Sequence, residues 1–126
     1  MDIHLKRILV VEDTLVAQIA ETNVLEDLNC LVTLANTGRE AIEKTNQAQD
    51  YDLILMDLGL PDVDSLTVTE NILANYARHK KSPPPIIALT AHDCTSLQAH
   101  CMNAGMADFL AKPLTRDVAK MLLEKY

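Results

Sequence analysis

Residues 53–57 read Leu-Ile-Leu-Met-Asp, a short apolar run that ends in a carboxylate. Three other apolar runs also end in polar residues: residues 8–11 precede Glu12 and Asp13, residues 86–89 precede Thr90, and residues 109–111 precede Lys112. Such continuous runs are typical of strands that are buried on both faces of a parallel sheet. Ligands bind beyond the carboxyl ends of such strands. The four endings therefore predict one site with three carboxylates, a hydroxyl group and an ammonium group.

Strand-like and helix-like stretches alternate five times along the chain. The predicted strands are Arg7–Glu12, Leu31–Ala35, Leu53–Asp57, Ile86–Thr90 and Ala107–Ala111. Strict alternation predicts an α/β fold, in which right-handed crossovers place helices on both faces of a parallel sheet. The sequence has no internal repeat and no interdomain linker, so we expect residues 1–126 to form a single domain.

The predicted first helix carries apolar residues at helical spacing after Asp13. They are Val16, Ile19, Ala20, Val24 and Leu28. A strip of this width normally faces the core, so we expect these side chains to be buried. Further along the chain, Gly105 predicts the end of the fourth helix and Thr115 the N-cap of the fifth.

The composition argues against several classes of protein. A formal net charge of −7 disfavours direct binding of nucleic acid or of an anionic membrane, because both favour basic surfaces. No apolar run approaches the roughly 20 residues that cross a bilayer, and the N-terminus lacks the order of a signal peptide. Three cysteines, an odd number, suit reduced thiols better than a disulfide framework. The expected location is the cytoplasm.

The predicted site combines charges that repel one another. With Glu12, Asp13 and Asp57 at one sheet edge, burial would raise the pKa values of these carboxyl groups unless a cation were present. Mg²⁺ is the natural counterion, since it takes oxygen ligands and binds through one or two carboxylates together with substrate phosphate. Considered alone, Asp13 could be a helix N-cap and Lys112 a solvated surface charge. The convergence of all the endings at one edge favours a functional site.

In combination, these motifs resemble the receiver domain of two-component response regulators, of which the chemotaxis response regulator is the simplest member. The resemblance runs from Ile8 to about Leu123 and rests on four segments: Glu12-Asp13, Met-Asp-Leu-Gly-Leu-Pro-Asp-Val-Asp at 56–64, Ala-Leu-Thr-Ala at 88–91, and Phe-Leu-Ala-Lys-Pro at 109–113. It implies a flavodoxin-like, doubly wound (βα)5 sandwich with strand order 2-1-3-4-5. Residues 90–92 and 103–108 look most like receivers fused to hybrid sensor histidine kinases.

The resemblance also implies the chemistry. Asp57 would accept a phosphoryl group from a phosphohistidine on a sensor histidine kinase or a histidine phosphotransfer protein. Glu12, Asp13 and Asp57 would hold Mg²⁺, joined by the backbone carbonyl of Gly59. These roles suit phosphoryl transfer, in which positioning and charge neutralisation dominate.

Thr90, Lys112 and Phe109 complete the implied site and its switch. Thr90 would donate its hydroxyl to one phosphoryl oxygen, and Lys112 would pair with another. The Lys112–Pro113 bond would be cis, since X-Pro is the only common place for a cis peptide. When Thr90 moves toward the phosphoryl group, Phe109 would turn inward and reshape the surface of the fourth helix, fifth strand and fifth helix.

One residue departs from the resemblance. Ser65 stands where many receivers have glycine. It predicts an ordinary N-cap for the third helix. We expect it to contact none of the site residues, and so to change the loop geometry and leave the chemistry in place.

Other functions remain as alternatives. A receiver would be a signalling switch that catalyses only its own phosphorylation and dephosphorylation, not a metabolic enzyme. The main alternative is a receiver-like interaction module that does not depend on phosphorylation, against which the intact set of polar endings argues. A phosphatase of the haloacid dehalogenase type needs an Asp-x-Asp pair where Glu12-Asp13-Thr14 stands, and a flavodoxin needs a Ser/Thr-rich loop there.

Overall fold

Five parallel strands form one sheet in the computed structural model, which describes residues 5–47, 50–60, 62–91 and 95–126. The strands are β1 (Arg7–Val11), β2 (Leu31–Ala35), β3 (Leu53–Asp57), β4 (Ile86–Thr90) and β5 (Asp108–Ala111). Their order across the sheet is β2-β1-β3-β4-β5. The predicted fold class and strand order are therefore confirmed, and β1 and β5 are each one residue shorter than predicted.

Helices cover both faces of the sheet. They are α1 (Leu15–Asp27), α2 (Gly38–Asn46), α3 (Ser65–Arg78), α4 (Thr95–Asn103) and α5 (Arg116–Lys125). Side chains alternate between the two faces along each strand, so the apolar residues form two cores. Leu9 and Ile54 pack with α2, α3 and α4, whereas Ile8 and Leu53 pack with α1 and α5. None of the helices within the described ranges is long and apolar enough to cross a membrane.

The register of the central strands brings their carboxyl ends side by side. Every residue of β3 and β4 is buried, as expected inside a parallel sheet. Val11 at the end of β1 pairs with Met56, Asp57 at the end of β3 pairs with Leu89, and the next residue, Thr90, pairs with Ala111 of β5. The carboxyl ends of β1, β3, β4 and β5 therefore meet at one edge.

The start of α1 presents the opposite face to the one predicted. Val16 and Ile19 are 76% and 52% exposed and Ala20 is also exposed, whereas the polar residues Gln18 and Glu21 are buried. Only the later part of the predicted strip, Val24 and Leu28, packs against the core. The burial predicted for the first two turns is therefore wrong. Apolar spacing shows which residues share a side of a helix, but polar partners at the end of β1 decide which side faces inward.

The ends of the later helices follow their sequence signals. Gly105 lies just after α4 with φ of +107°, a left-handed conformation that glycine adopts without steric cost. The Met106 N–H donates to the carbonyl of Cys101, which closes the last turn of α4. Thr115 is the N-cap of α5, and its hydroxyl accepts a hydrogen bond from the Val118 N–H. Both predictions are confirmed.

Candidate functional site

The polar residues at the carboxyl ends of the strands meet at one edge of the sheet, as predicted. Glu12, Asp13 and Asp57 each offer a carboxylate oxygen, and these oxygens all lie within 4.8 Å of one another. Glu12 and Asp57 are buried, whereas Asp13 is exposed. A cleft beside this cluster is lined in part by Asp57, Gly59 and Thr90. Three hard oxygen donors converge there, a donor set that suits a divalent cation such as Mg²⁺.

Lys112 places an ammonium group within the acidic cluster. Its Nζ lies 2.6 Å from Glu12 Oε1 and 3.0 Å from Asp57 Oδ1. The peptide bond between Lys112 and Pro113 is cis. The Lys112 N–H also donates to the carbonyl of Thr90, over 2.7 Å, which ties the loop after β5 to the end of β4. Burial opposes the charged form of Lys112, but its hydrogen bonds to Glu12 and Asp57 raise the pKa above the ordinary lysine value.

The pKa values of the two buried carboxyl groups move in opposite directions. Burial is the main cause that raises the pKa of Glu12, with hydrogen bonding to Lys112 acting against it. Burial also acts to raise the pKa of Asp57, but hydrogen bonds from Glu12, the Gly59 N–H and Lys112 outweigh it, so this pKa is lowered. The lowered pKa favours the ionised form of Asp57. An ionised carboxylate that faces a cleft and lies beside an ammonium group can act as a nucleophile.

Backbone groups and α1 hold Glu12 on its other sides. Glu12 Oε2 accepts hydrogen bonds from the Asp13 and Thr14 N–H groups over 3.1 and 3.4 Å. Gln18 donates from Nε2 to the Glu12 carbonyl over 2.7 Å. Burial, followed by repulsion from Glu12, raises the pKa of Glu21 to about 8. The sequence analysis missed Gln18 and Glu21; the only available signal was two polar residues one turn apart in the otherwise apolar stretch 15–21.

Ser65 contacts the site, contrary to expectation. The N-cap of α3 is Asp64, whose side chain accepts from the Leu66 N–H, and Ser65 is the first helical residue. The Ser65 hydroxyl is buried and donates to the backbone carbonyl of Asp57 over 2.7 Å. The predictions that Ser65 caps the helix and leaves the site untouched are therefore wrong. The hydroxyl thus joins the start of α3 to the end of the strand that carries Asp57.

Thr90 and Phe109 lie on neighbouring strands. Ala88 pairs with Phe109 across β4 and β5, and Thr90 pairs with Ala111. Because side chains alternate along a strand, Thr90 and Phe109 point to the same face of the sheet. Thr90 is buried, and Phe109 is half-buried against the core under α3 and α4. A displacement of one side chain can therefore affect the packing of the other.

Two further aspartates near the site act as helix caps. Asp62 accepts hydrogen bonds from the Gly38 and Arg39 N–H groups, over 2.9 and 3.1 Å, at the start of α2. Hydrogen bonding to Gly38 is the main cause that lowers the pKa of Asp62. Asp64 caps α3, as described above. Both carboxylates thus serve the helices beside the site.

Comparison with known proteins identifies the family. The family model of the response regulator receiver domain matches residues 8–124. The aerobic respiration control sensor protein ArcB of Escherichia coli is 36% identical over 119 residues, which cover 94% of this chain and 15% of ArcB. The hybrid signal transduction histidine kinase L of Dictyostelium discoideum is 32% identical over 124 residues, covering 97% of this chain and 7% of the kinase. The chain belongs to the response regulator receiver domain family.

A solved structure shares both the fold and the sequence pattern. The receiver domain of the sensor histidine kinase PA1611 from Pseudomonas aeruginosa superimposes with a TM-score of 0.84 and 38% identity, covering 98% of each chain. That domain was crystallised with a magnesium ion coordinated in its active site cleft. The predicted resemblance to receivers of hybrid sensor kinases is confirmed. The chain spans only about one seventh or less of the curated kinases that it matches.

Proposed function

We propose that Asp57 accepts a phosphoryl group from a phosphohistidine and that this modification switches a protein-interaction surface. In the transfer, an Asp57 oxygen forms a bond to phosphorus while the bond between phosphorus and the imidazole nitrogen breaks. The single observation that carries the proposal is the convergence of Glu12, Asp13, Asp57, Thr90 and Lys112 at one edge of the sheet. Phosphoryl transfer depends mainly on positioning and on neutralising charge, which this set provides.

Among the aspartates near the cleft, Asp57 is the one suited to be the acceptor. It lies beside Lys112 and lines the cleft. Asp62 and Asp64 already accept hydrogen bonds at the starts of α2 and α3. Phosphorylation of either would disrupt a helix cap, and such a cap typically contributes about 1 kcal/mol to the free energy of unfolding.

Different site residues would contact different oxygens of the phosphoryl group. Lys112 neutralises one oxygen, and the Thr90 hydroxyl donates to another. Glu12, Asp13, Asp57 and the carbonyl of Gly59 are the ligands that we propose for Mg²⁺, and the cluster of carboxylate oxygens fits that ion. When bound, Mg²⁺ supplies positive charge that offsets the charge on the transferred phosphoryl oxygens.

The proposed donor is a sensor histidine kinase or a histidine phosphotransfer protein. Leu15, Val16 and Ile19, in the first turns of α1 after Asp13, are 67%, 76% and 52% exposed. A donor protein must bring its histidine to Asp57, and this apolar surface gives it area to bury beside the site. Cys30 and Cys101 are both free and buried, which is consistent with a reducing compartment, and we place the domain in the cytoplasm.

The proposed output is a change around Phe109. As the Thr90 hydroxyl turns to the phosphoryl group, space opens for Phe109 to move inward, which alters the surface formed by α4, β5 and α5. The main alternative is a receiver-like module that binds its partner without phosphorylation. Such a module would have the same fold and belong to the same family, but it would need neither an ionised Asp57 nor a cation-binding cluster.

Mass spectrometry tests the phosphoacceptor. Incubation with phosphoramidate and Mg²⁺ should add the mass of one phosphoryl group to the wild type and to the control Asp27→Asn, which changes an exposed aspartate at the end of α1. Asp57→Asn should not gain this mass. Modification of Asp57→Asn at the wild-type rate, or failure of the wild type to be modified by either phosphoramidate or a phosphorylated histidine phosphotransfer protein, would contradict the proposal.

A further inference from the structure

The loop between β3 and α3 forms one wall of the cleft beside Asp57. Leu58 and Gly59 line that wall. The Gly59 N–H turns back and donates to Asp57 Oδ1 over 3.1 Å, the same oxygen that lies 3.0 Å from Lys112 Nζ. Connecting loops are ordinarily more mobile than the strands and helices that they join. The geometry of the Asp57 carboxylate therefore depends on what holds this loop in place.

Ser65 joins the two ends of the loop. It is the first residue of α3 and is 2% exposed. Its hydroxyl donates to the backbone carbonyl of Asp57, eight residues earlier, over 2.7 Å. A glycine, the residue that many receivers have at this position, could not form this hydrogen bond. The loop thus leaves β3 and enters α3 at points that one buried hydroxyl holds together.

Asp62 joins the middle of the loop to α2. Its Oδ1 accepts from the Gly38 N–H over 2.9 Å, and its Oδ2 accepts from the Arg39 N–H over 3.1 Å. The hydroxyl of Thr37, the N-cap of α2, accepts from the Glu40 N–H. Asp62 therefore takes the two N–H groups that the helix and its own cap leave without a partner. Because both of its carboxylate oxygens are engaged, the Asp62 side chain is held in one orientation.

Gly38 allows α2 to approach the loop closely. A Cβ atom at position 38 would lie 2.6 Å from Val68 Cγ2 and 3.3 Å from Val63 Cβ. Any larger residue would therefore push the start of α2 away from residues 62–68. The absence of a side chain at this position keeps the Gly38 N–H within hydrogen-bond distance of Asp62.

We propose that Ser65 and Asp62 are positioning residues for the phosphoacceptor. By holding the loop at its two ends and on α2, they keep the Gly59 N–H on Asp57 and the Gly59 carbonyl available to Mg²⁺. This inference rests on the proposed function, which makes Asp57 the acceptor and the Gly59 carbonyl a ligand. Neither positioning residue is itself a ligand. Groups that orient metal ligands typically change metal affinity by about 10- to 100-fold when they are removed.

Two variants, each with a matched control, test the inference. Ser65→Ala is compared with Thr69→Ala, which removes another buried hydroxyl of α3 whose hydrogen bond stays within that helix. Asp62→Ala is compared with Thr37→Ala, which removes the other side-chain acceptor at the start of α2 and leaves the loop unchanged. Because Asp62 is exposed, its variant tests the inference even if a change at the buried Ser65 unfolds the protein.

Isothermal titration with Mg²⁺ alone measures the effect on the cation site. Ser65→Ala and Asp62→Ala should weaken Mg²⁺ binding by about tenfold, whereas both threonine variants should stay within about twofold of the wild type. With phosphoramidate, the Mg²⁺ concentration for half-maximal phosphorylation should rise by a similar factor in the first two variants.

Hydrogen exchange of the Gly59 amide, followed by NMR in the metal-free protein, measures the loop directly. This N–H is hydrogen-bonded to Asp57 in the wild type. A loop that has lost one of its hydrogen bonds opens more often, so the amide should exchange about tenfold faster in Ser65→Ala and Asp62→Ala. Exchange in the two threonine variants should stay close to that of the wild type.

Two results would overturn the inference. Wild-type Mg²⁺ affinity in both Ser65→Ala and Asp62→Ala, or wild-type exchange of the Gly59 amide in both, would show that the loop needs neither residue. Losses of the same size in the threonine controls would show that helix stability, not the position of the loop, sets the affinity. If the wild type bound no Mg²⁺ or were not phosphorylated, the proposed function would fail, while exchange of the Gly59 amide would still decide whether Ser65 and Asp62 hold the loop.

Discussion

Lys112 Nζ lies 2.6 Å from Glu12 Oε1, although the two residues are 100 positions apart in the sequence. The Glu12 side chain is fully buried, and that of Lys112 is 21% exposed. The pair joins the end of the first strand to the loop after the last one. The same ammonium group also contacts Asp57, so a single cation balances two carboxyl groups.

Removal of the Lys112 ammonium group should destabilise the fold. Lys112→Met leaves Glu12 and Asp57 together without their ammonium partner, and we expect it to lower the free energy of unfolding by about 2 kcal/mol at pH 7 in the absence of Mg²⁺. Urea denaturation followed by circular dichroism measures the change. The control is Lys120→Met on the exposed side of α5, which should have little effect. Equal stability of the two variants would contradict a structural role for the pair.

Mg²⁺ should stabilise the protein through Asp13. A ligand that binds only the folded state at ten times its dissociation constant adds about 1.4 kcal/mol to the free energy of unfolding. Asp13 is exposed, so Asp13→Asn should leave the metal-free protein nearly as stable as the wild type but respond much less to Mg²⁺. A thermal-shift titration checks both points, with Asp27→Asn as the control. Identical responses of wild type and Asp13→Asn would count against this metal site.

Ser65 should contribute to stability through Asp57. Its hydroxyl is buried and donates to the Asp57 carbonyl over 2.7 Å. Ser65→Ala should therefore cost about 1 kcal/mol in the free energy of unfolding, the usual loss for one buried hydrogen bond. Urea denaturation checks this, with Ser82→Ala at an exposed position as the reference. If Ser65→Ala were as stable as Ser82→Ala, the hydrogen bond would have no energetic role.

Glu21 should make the stability depend on pH. Its pKa in the folded protein is about 8, above the ordinary value of 4.5. Between these values the folded state binds more protons than the unfolded state, so stability falls as the pH rises through this window. Glu21→Gln should remove part of that fall, on the order of 2 kcal/mol between pH 5 and pH 8. Urea denaturation of the metal-free protein across this range measures the free energy of unfolding at each pH, with Glu26→Gln as the control. If that free energy fell equally with pH in the wild type, Glu21→Gln and Glu26→Gln, the prediction would be contradicted.

Thr90 should couple phosphorylation to Phe109. Beryllofluoride, which mimics the phosphoryl group, should shift amide NMR signals of residues 95–104 and 114–121 as well as those around the cleft. Packed interiors tend to adopt discrete arrangements, so the shift should report a change between two states. Thr90→Ala should still bind the mimic but show much smaller shifts in the distant residues, because the hydroxyl that biases the equilibrium is gone. Wild-type shifts confined to the loops around Asp13, Asp57 and Lys112 would contradict the switch.

The sequence by itself determined the fold class and the edge where the site lies. Apolar runs such as 53–57 are local patterns, and parallel strands necessarily bring their carboxyl ends together. For that reason the convergence of Glu12, Asp57 and Lys112 was predictable, and the strand order followed from the resemblance to the receiver family. The match of the receiver family to residues 8–124 confirms that resemblance.

Only the tertiary structure decided which residues beside the site are buried and which hydrogen bonds they form. Val16 and Ile19 are exposed while Gln18 and Glu21 are buried. Gln18 faces inward because it donates hydrogen bonds to the Glu12 carbonyl and to Asn36 Oδ1. Likewise, Ser65 donates to Asp57, eight residues away along the chain, instead of capping its own helix. Helical periodicity groups residues on one side of a helix, but the side that faces inward depends on partners from distant strands and loops, which a local pattern does not contain.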